Sequence, residues 1–165
     1  WEHHRYKRAW RRFHVLDPCS ARDRRRGGGD IGHGCAQGKN VLVVEDNQIN
    51  REILCEYLEM EGANVVPAKD GQVACDEFLE RASGFFDIIT MDIHMPNMDG
   101  YEATRCIRAC KEKGGDSVKI IAVTSDTHSE DVRRILSSGM DAHVAKPVDI
   151  KALKLRSIHS VLHSG

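Results

Sequence analysis

Five short apolar runs recur along this chain, at 41–44 (VLVV), 64–67 (NVVP), 86–91 (FDIITM), 118–123 (VKIIAV) and 142–145 (AHVA). Their starts lie 23, 22, 32 and 24 residues apart, and the longest interval contains a polar loop, KEKGGDS. The stretches between runs carry apolar residues at helical spacing. Ile49, Ile53, Leu54 and Tyr57 are expected on one core face, as are Ala103, Cys106, Ile107 and Cys110, and later Val132, Ile135 and Leu136. Gly62 and Gly139 sit where helices would stop, and Asp149 where a last helix would be capped. Strand and helix alternating at this pitch imply a parallel sheet with right-handed crossovers. The runs at 41, 86 and 118 are almost continuously apolar, as strands covered on both faces should be. The expected fold class is α/β, a five-stranded parallel doubly wound sheet.

Polar residues fall at the strand ends of that sheet. Glu45 and Asp46 follow the first strand, Asp92 ends the third, Thr124 ends the fourth and Lys146 follows the fifth. The second strand, ending at Pro67 and Ala68, carries no such group, which suits an edge position. In open α/β sheets the carboxyl ends of the strands face the ligand crevice, so three carboxylates, an ammonium and a hydroxyl converge there. Carboxylates that close together must take up a proton or a cation. An all-oxygen site with open positions suits Mg²⁺, which often shares its ligands with phosphate. Lys146 and Thr124 can then hold phosphoryl oxygens opposite the metal, and an ionised Asp92 can serve as covalent acceptor. Each residue alone has a plainer reading. Asp46 could cap the helix opened by NQIN, Asp92 could belong to the turn before MPNMDG, and Lys146 could be solvated. Their convergence on one crevice argues for chemistry.

Four segments, VLVVEDNQIN (41–50), MDIHMPNMDG (91–100), AVTSD (122–126) and GMDAHVAKPVD (139–149), resemble the receiver domain of two-component response regulators. The resemblance covers residues 40 to about 162. It implies a flavodoxin-like (βα)5 fold with strand order 2-1-3-4-5, and a phosphoryl group accepted by Asp92 from a histidine kinase or a histidine phosphotransfer protein. It further implies that Glu45, Asp46, Asp92 and the His94 backbone carbonyl hold Mg²⁺, that Lys146 pairs with the phosphate, and that Thr124 moves toward it. Lys146–Pro147 would be a cis peptide. The residue three before the lysine, His143, would swing inward with Thr124; a half-exposed surface histidine is the alternative. His94 and Asp126 occupy the positions that tune dephosphorylation, although His94 could instead point into solvent. The histidine at 143, with EDNQIN and AKPVD, is closest to receivers of hybrid sensor histidine kinases; a stand-alone single-domain regulator is the alternative. The output would be a surface built from the fourth helix, fifth strand and fifth helix, including His128 to Arg134 and Ala142 to Val144, with a homodimer on activation as one form of it. In class terms this is a signalling module that catalyses its own phosphorylation and dephosphorylation. If the chain is part of a hybrid kinase, its parent is a histidine kinase.

Rival readings fare worse on these residues. A Mg²⁺-dependent phosphatase with an aspartate nucleophile, of the haloacid dehalogenase type, would need a second Asp where His94 stands. A flavin binder would need a Ser/Thr-rich phosphate loop where Glu45 and Asp46 stand. Residues 1–39 hold 10 Lys/Arg against 4 Asp/Glu, whereas 40–165 hold 14 against 21, so a domain boundary is expected near residue 40. The basic, Gly/Arg-rich 1–39 segment reads as a flexible tail or linker, with a basic arm for nucleic acid or anionic lipid as the alternative. At 5% aromatic residues, base stacking has little to work with, so a nucleic-acid partner is not expected. No apolar run is long enough to cross a bilayer. Six cysteines without a CxxC pair suggest reduced thiols and a cytoplasmic setting. The start at Trp1 suggests a piece of something longer.

Overall fold

A computed structural model of the chain describes residues 36–125 and 129–146. The expectations for the 1–35 part of the tail, Asp126, His128, the Lys146–Pro147 peptide, Asp149 and the last helix lie outside these residues.

The elements alternate as the pitch predicts: β1 (Asn40–Val44), α1 (Gln48–Met60), β2 (Asn64–Ala68), α2 (Gly71–Glu80), β3 (Ile88–Asp92), α3 (Gly100–Ala109), a 3₁₀ turn (Lys111–Lys113), β4 (Lys119–Thr124), α4 (Ser129–Ser137) and β5 (Ala142–Ala145). The five strands form one parallel sheet in the order β2-β1-β3-β4-β5. Alternate residues of each strand face opposite layers. Leu42, Val44, Ile89, Met91, Ile120 and Ala122 pack under α2, α3 and α4. Val41, Val43, Ile88, Ile121 and Val144 pack under α1, against Leu54, Tyr57 and Leu58. Ala36 is buried in this second layer.

Helix starts follow capping chemistry. The side chains of Asn47, Asp70 and Asp99 accept the backbone N–H of Asn50, Val73 and Glu102 respectively. Gly62 and Gly139 take left-handed φ of 87° and 98° just beyond the ends of α1 and α4, as a helix stop requires.

Three expectations need correcting. Ile49 and Ile53 are 67% and 51% exposed. Ile49 lies about 140° around the helix from Leu54, so the two cannot share a face. Leu136 is likewise exposed, and Ile135 alone fills the core from that pair. The third strand starts at Ile88, not at residue 86. Asp87 is drawn away by Lys39 Nζ and the Asn40 N–H, each 2.9 Å from its carboxylate. Phe86 turns into the core, edge-on to Phe85.

The amino ends of the strands are laced by side chains. Arg108, on α3, donates to the carbonyls of Gly115 (2.6 Å), Val118 (2.7 Å) and Gly139 (2.8 Å) and to the Asp141 carboxylate (2.8 Å). The same Asp141 oxygen accepts the Ile120 N–H. At the other edge, Asn64 donates to Asn40, which donates to the Phe85 carbonyl.

Candidate functional site

The opposite, carboxyl end of the sheet gathers the polar residues. Glu45 follows β1 and is 3% exposed; Asp92 closes β3 and is also 3% exposed. Asp46 is exposed beside them. One oxygen of each carboxylate lies within 4.8 Å of the others, the only such metal-capable group among the described residues. Asn47, not Asp46, caps α1, so the Asp46 carboxylate is not spent on the helix.

Lys146, just past β5, enters this acidic cluster. Its Nζ stands 2.6 Å from Asp92 Oδ2 and 2.8 Å from Glu45 Oε2. Its backbone N–H donates to the Thr124 carbonyl at 2.7 Å, which fixes the base of the side chain. Thr124 ends β4 and is buried. The His94 N–H donates to Asp92 Oδ1 at 3.2 Å, while the His94 residue is exposed. His143 is half-buried on β5, opposite Ala122 of β4.

The electrostatics of the site are opposed. Burial pushes the Asp92 carboxyl above its ordinary value and Glu45 adds to this, outweighing the Lys146 hydrogen bond, its charge and the His94 N–H. Burial works to lower Lys146, but its hydrogen bonds to Asp92 and Glu45 and their charges hold it above its ordinary value. One ammonium among three carboxylates leaves the cluster short of positive charge. An all-oxygen donor set of this size suits a hard divalent cation.

Several positioning residues went unread in the sequence. Arg51 Nη1 donates to the carbonyls of Glu45 (2.7 Å) and Asp46 (3.2 Å), and Asn50 Nδ2 reaches Glu45 Oε1 at 3.3 Å. The first turn of α1 thus folds back on the loop that presents the acidic pair. The signal was their place in that turn, which alone does not separate them from solvated residues. Gly100 packs against the Asp92 carbonyl oxygen, where any Cβ would collide with backbone.

Residues 41–157 match the family model described as the response regulator receiver domain. The chain is 38% identical over 135 residues to the probable histidine kinase 2 of Oryza sativa subsp. indica, covering 75% of this chain and 13% of that protein. It is similar in structure to the receiver domain of sensor histidine kinase PA1611 from Pseudomonas aeruginosa PAO1, crystallised with a magnesium ion coordinated in its active site cleft. That likeness has a TM-score of 0.67 at 34% identity and covers 77% of this chain and 99% of the other. It is also similar to the receiver domain of the Saccharomyces cerevisiae response regulator Ssk1, solved with the histidine phosphotransfer protein Ypd1, with a TM-score of 0.65 at 34% identity over 71% and 84% of the two chains. The chain spans 13% or less of the length of the curated relatives it matches.

Proposed function

The chain belongs to the response regulator receiver domain family, and we propose that it is the receiver of a hybrid histidine kinase that accepts a phosphoryl group on Asp92 from a histidine kinase or a histidine phosphotransfer protein. The observation that carries this reading is the buried Asp92 carboxylate at the end of β3, 2.6 Å from Lys146 and within the Glu45–Asp46–Asp92 cluster. A carboxylate oxygen of Asp92 attacks the phosphorus of the donor phosphohistidine. The O–P bond forms as the P–N bond breaks, and the imidazole leaves with the electron pair and takes up a proton. Bound to Glu45, Asp46, Asp92 and the His94 carbonyl, Mg²⁺ would supply the charge neutralisation that phosphoryl transfer needs. Lys146 is poised to exchange its Asp92 contact for a phosphoryl oxygen, and the Thr124 hydroxyl to donate to another. His143 follows Thr124 inward and changes the surface around β5. His94 tunes its rate of hydrolysis, a role the family resemblance also extends to Asp126, which lies outside the described residues.

The donor's docking face fits the outward side of α1. Ile49, Ile53 and Met60, the last 78% exposed, leave an apolar stripe beginning three residues from Asp46. A phosphotransfer protein seated there would bring its histidine over Asp92. Among the described residues no helix is long and apolar enough to cross a membrane, and the four described cysteines are free thiols. Free thiols suit a reducing compartment, and the cytoplasm is the setting we propose.

Acid-quenched phosphorylation with acetyl phosphate and Mg²⁺ tests the reading. A base-labile label on the wild type, lost in Asp92→Asn and with EDTA, is the expected result. A folded, Mg²⁺-binding wild type that takes label neither from acetyl phosphate nor from a phosphohistidine protein would overturn it.

A further inference from the structure

Asp70 is a buried carboxylate that the reading above leaves without a task. It stands two residues past β2, is 5% exposed, and spends its two oxygens on different segments. Oδ1 caps α2 through the Val73 N–H at 2.8 Å. Oδ2 accepts from Asn97 Nδ2 at 3.2 Å. Asn97 lies at the apex of the loop between β3 and α3 and is the only described non-glycine residue with a left-handed φ, 67°.

That loop is tied at both ends. On the α2 side, the Gly71 N–H donates to the Met98 carbonyl at 3.3 Å, and Met98 Sδ lies 3.8 Å from Cys75 Sγ. A Cβ on Gly71 would lie 2.6 Å from the Met98 carbonyl oxygen, so the two backbones meet with no side chain between them. On the β3 side, the Gly100 N–H donates to the Ile93 carbonyl at 3.0 Å, and Gly100 rests on the Asp92 carbonyl. The backbone of Asp92 and Ile93 is therefore held between β4, where the Ile93 N–H reaches the Val123 carbonyl at 3.4 Å, and a loop whose apex is fastened to Asp70.

We propose that Asp70 is a positioning residue for the phosphoryl-acceptor site: through Asn97 it anchors the loop that fixes the Asp92 carboxylate and the His94 carbonyl for Mg²⁺. The inference rests on the functional reading above. Its force comes from the division of labour between the two oxygens, because a residue serving only as a helix cap would need just one.

Substitution can separate the two tasks. Asp70→Ser keeps a good cap but cannot reach Asn97. Asn97→Gly keeps the left-handed turn but removes the amide. Asp70→Asn keeps the cap and, once the Asn97 amide rotates, restores a bond to it. Mg²⁺ affinity of the full chain by calorimetry is the primary readout, with the acetyl phosphate labelling rate at limiting and saturating Mg²⁺ as the second.

Asp70→Ser and Asn97→Gly should each weaken Mg²⁺ binding on the order of tenfold, as loss of a supporting contact around metal ligands does. Their labelling rates should recover at saturating Mg²⁺. The double variant should be no weaker than either single, and Asp70→Asn should recover most of the affinity. Wild-type affinity in both single variants, or losses that add in the double, would overturn the proposal while leaving the receiver reading intact. A wild type that binds no Mg²⁺ would overturn both. Should Asp70→Ser fail to fold, Asn97→Gly, at an exposed position, decides alone.

Discussion

Lys146 bridges two carboxylates that would otherwise face each other, both of them almost fully buried. Lys146→Ala is expected to destabilise the metal-free domain by about 3 kcal/mol, the usual cost of removing one partner of a buried ion pair. Mg²⁺ should recover most of that loss, and urea unfolding with and without the cation checks both. A second residue, remote from the site, gives a pH signature. Burial, with the Glu59 charge beside it, pushes the Cys55 thiol from 9.0 up to about 11. A folded value above the unfolded one means that the fold holds the proton. Its contribution to stability is therefore whole below pH 9 and disappears as the pH rises through about 11. Cys55→Ala should flatten stability over that range, and Cys55 should alkylate roughly tenfold more slowly than an open-chain cysteine near neutral pH, since its smaller thiolate fraction is partly offset by a more nucleophilic thiolate. The meeting of Glu45, Asp46, Asp92 and Lys146 was legible in the sequence because strand ends converge in this architecture. Asp70 was not, because an acidic residue before glycine at a helix start looks the same whether it caps alone or also reaches a loop 27 residues away.

The helix α1 carries two apolar stripes, and only one is core. Leu54, Tyr57 and Leu58 face the sheet, while Ile49, Ile53 and Met60 face outward. Periodicity finds apolar residues on a helix without saying which stripe the sheet will take. Six such residues on thirteen positions allowed both, and the expectation merged them. The outward stripe can be replaced at little cost to the fold. Ile49→Ser with Ile53→Ser should change unfolding free energy by no more than about 0.5 kcal/mol per site. The same pair should slow phosphoryl transfer from a phosphotransfer protein yet leave labelling by acetyl phosphate unchanged. Comparing the two donors on one preparation checks this, since a defect at the reacting centre would slow both.

Across the whole domain the two ends of the sheet are built differently. The carboxyl ends hold the carboxylates, Thr124 and Lys146, and the amino ends hold the side-chain ties of Arg108, Asp141, Asp87 and Asn40. Strand count and pitch were readable from the spacing of the apolar runs. The lacing was not, since Arg108 and Asp141 meet across 33 residues and each alone resembles an ordinary surface charge. Arg108→Met should cost about 3 kcal/mol, because it strands several partly buried acceptors at once. Mg²⁺ affinity should stay near the wild-type value; unfolding and calorimetry on the same variant check the pair. The lacing also bears on how this domain can be watched. A fluorophore or spin label near Gly115 or Asp141 would sit on the fastened end and stay silent through a phosphorylation cycle. On the proposed switch, one attached beside His143 or on the exposed face of α4 would report it. An assay built around the first position would record a working switch as inert.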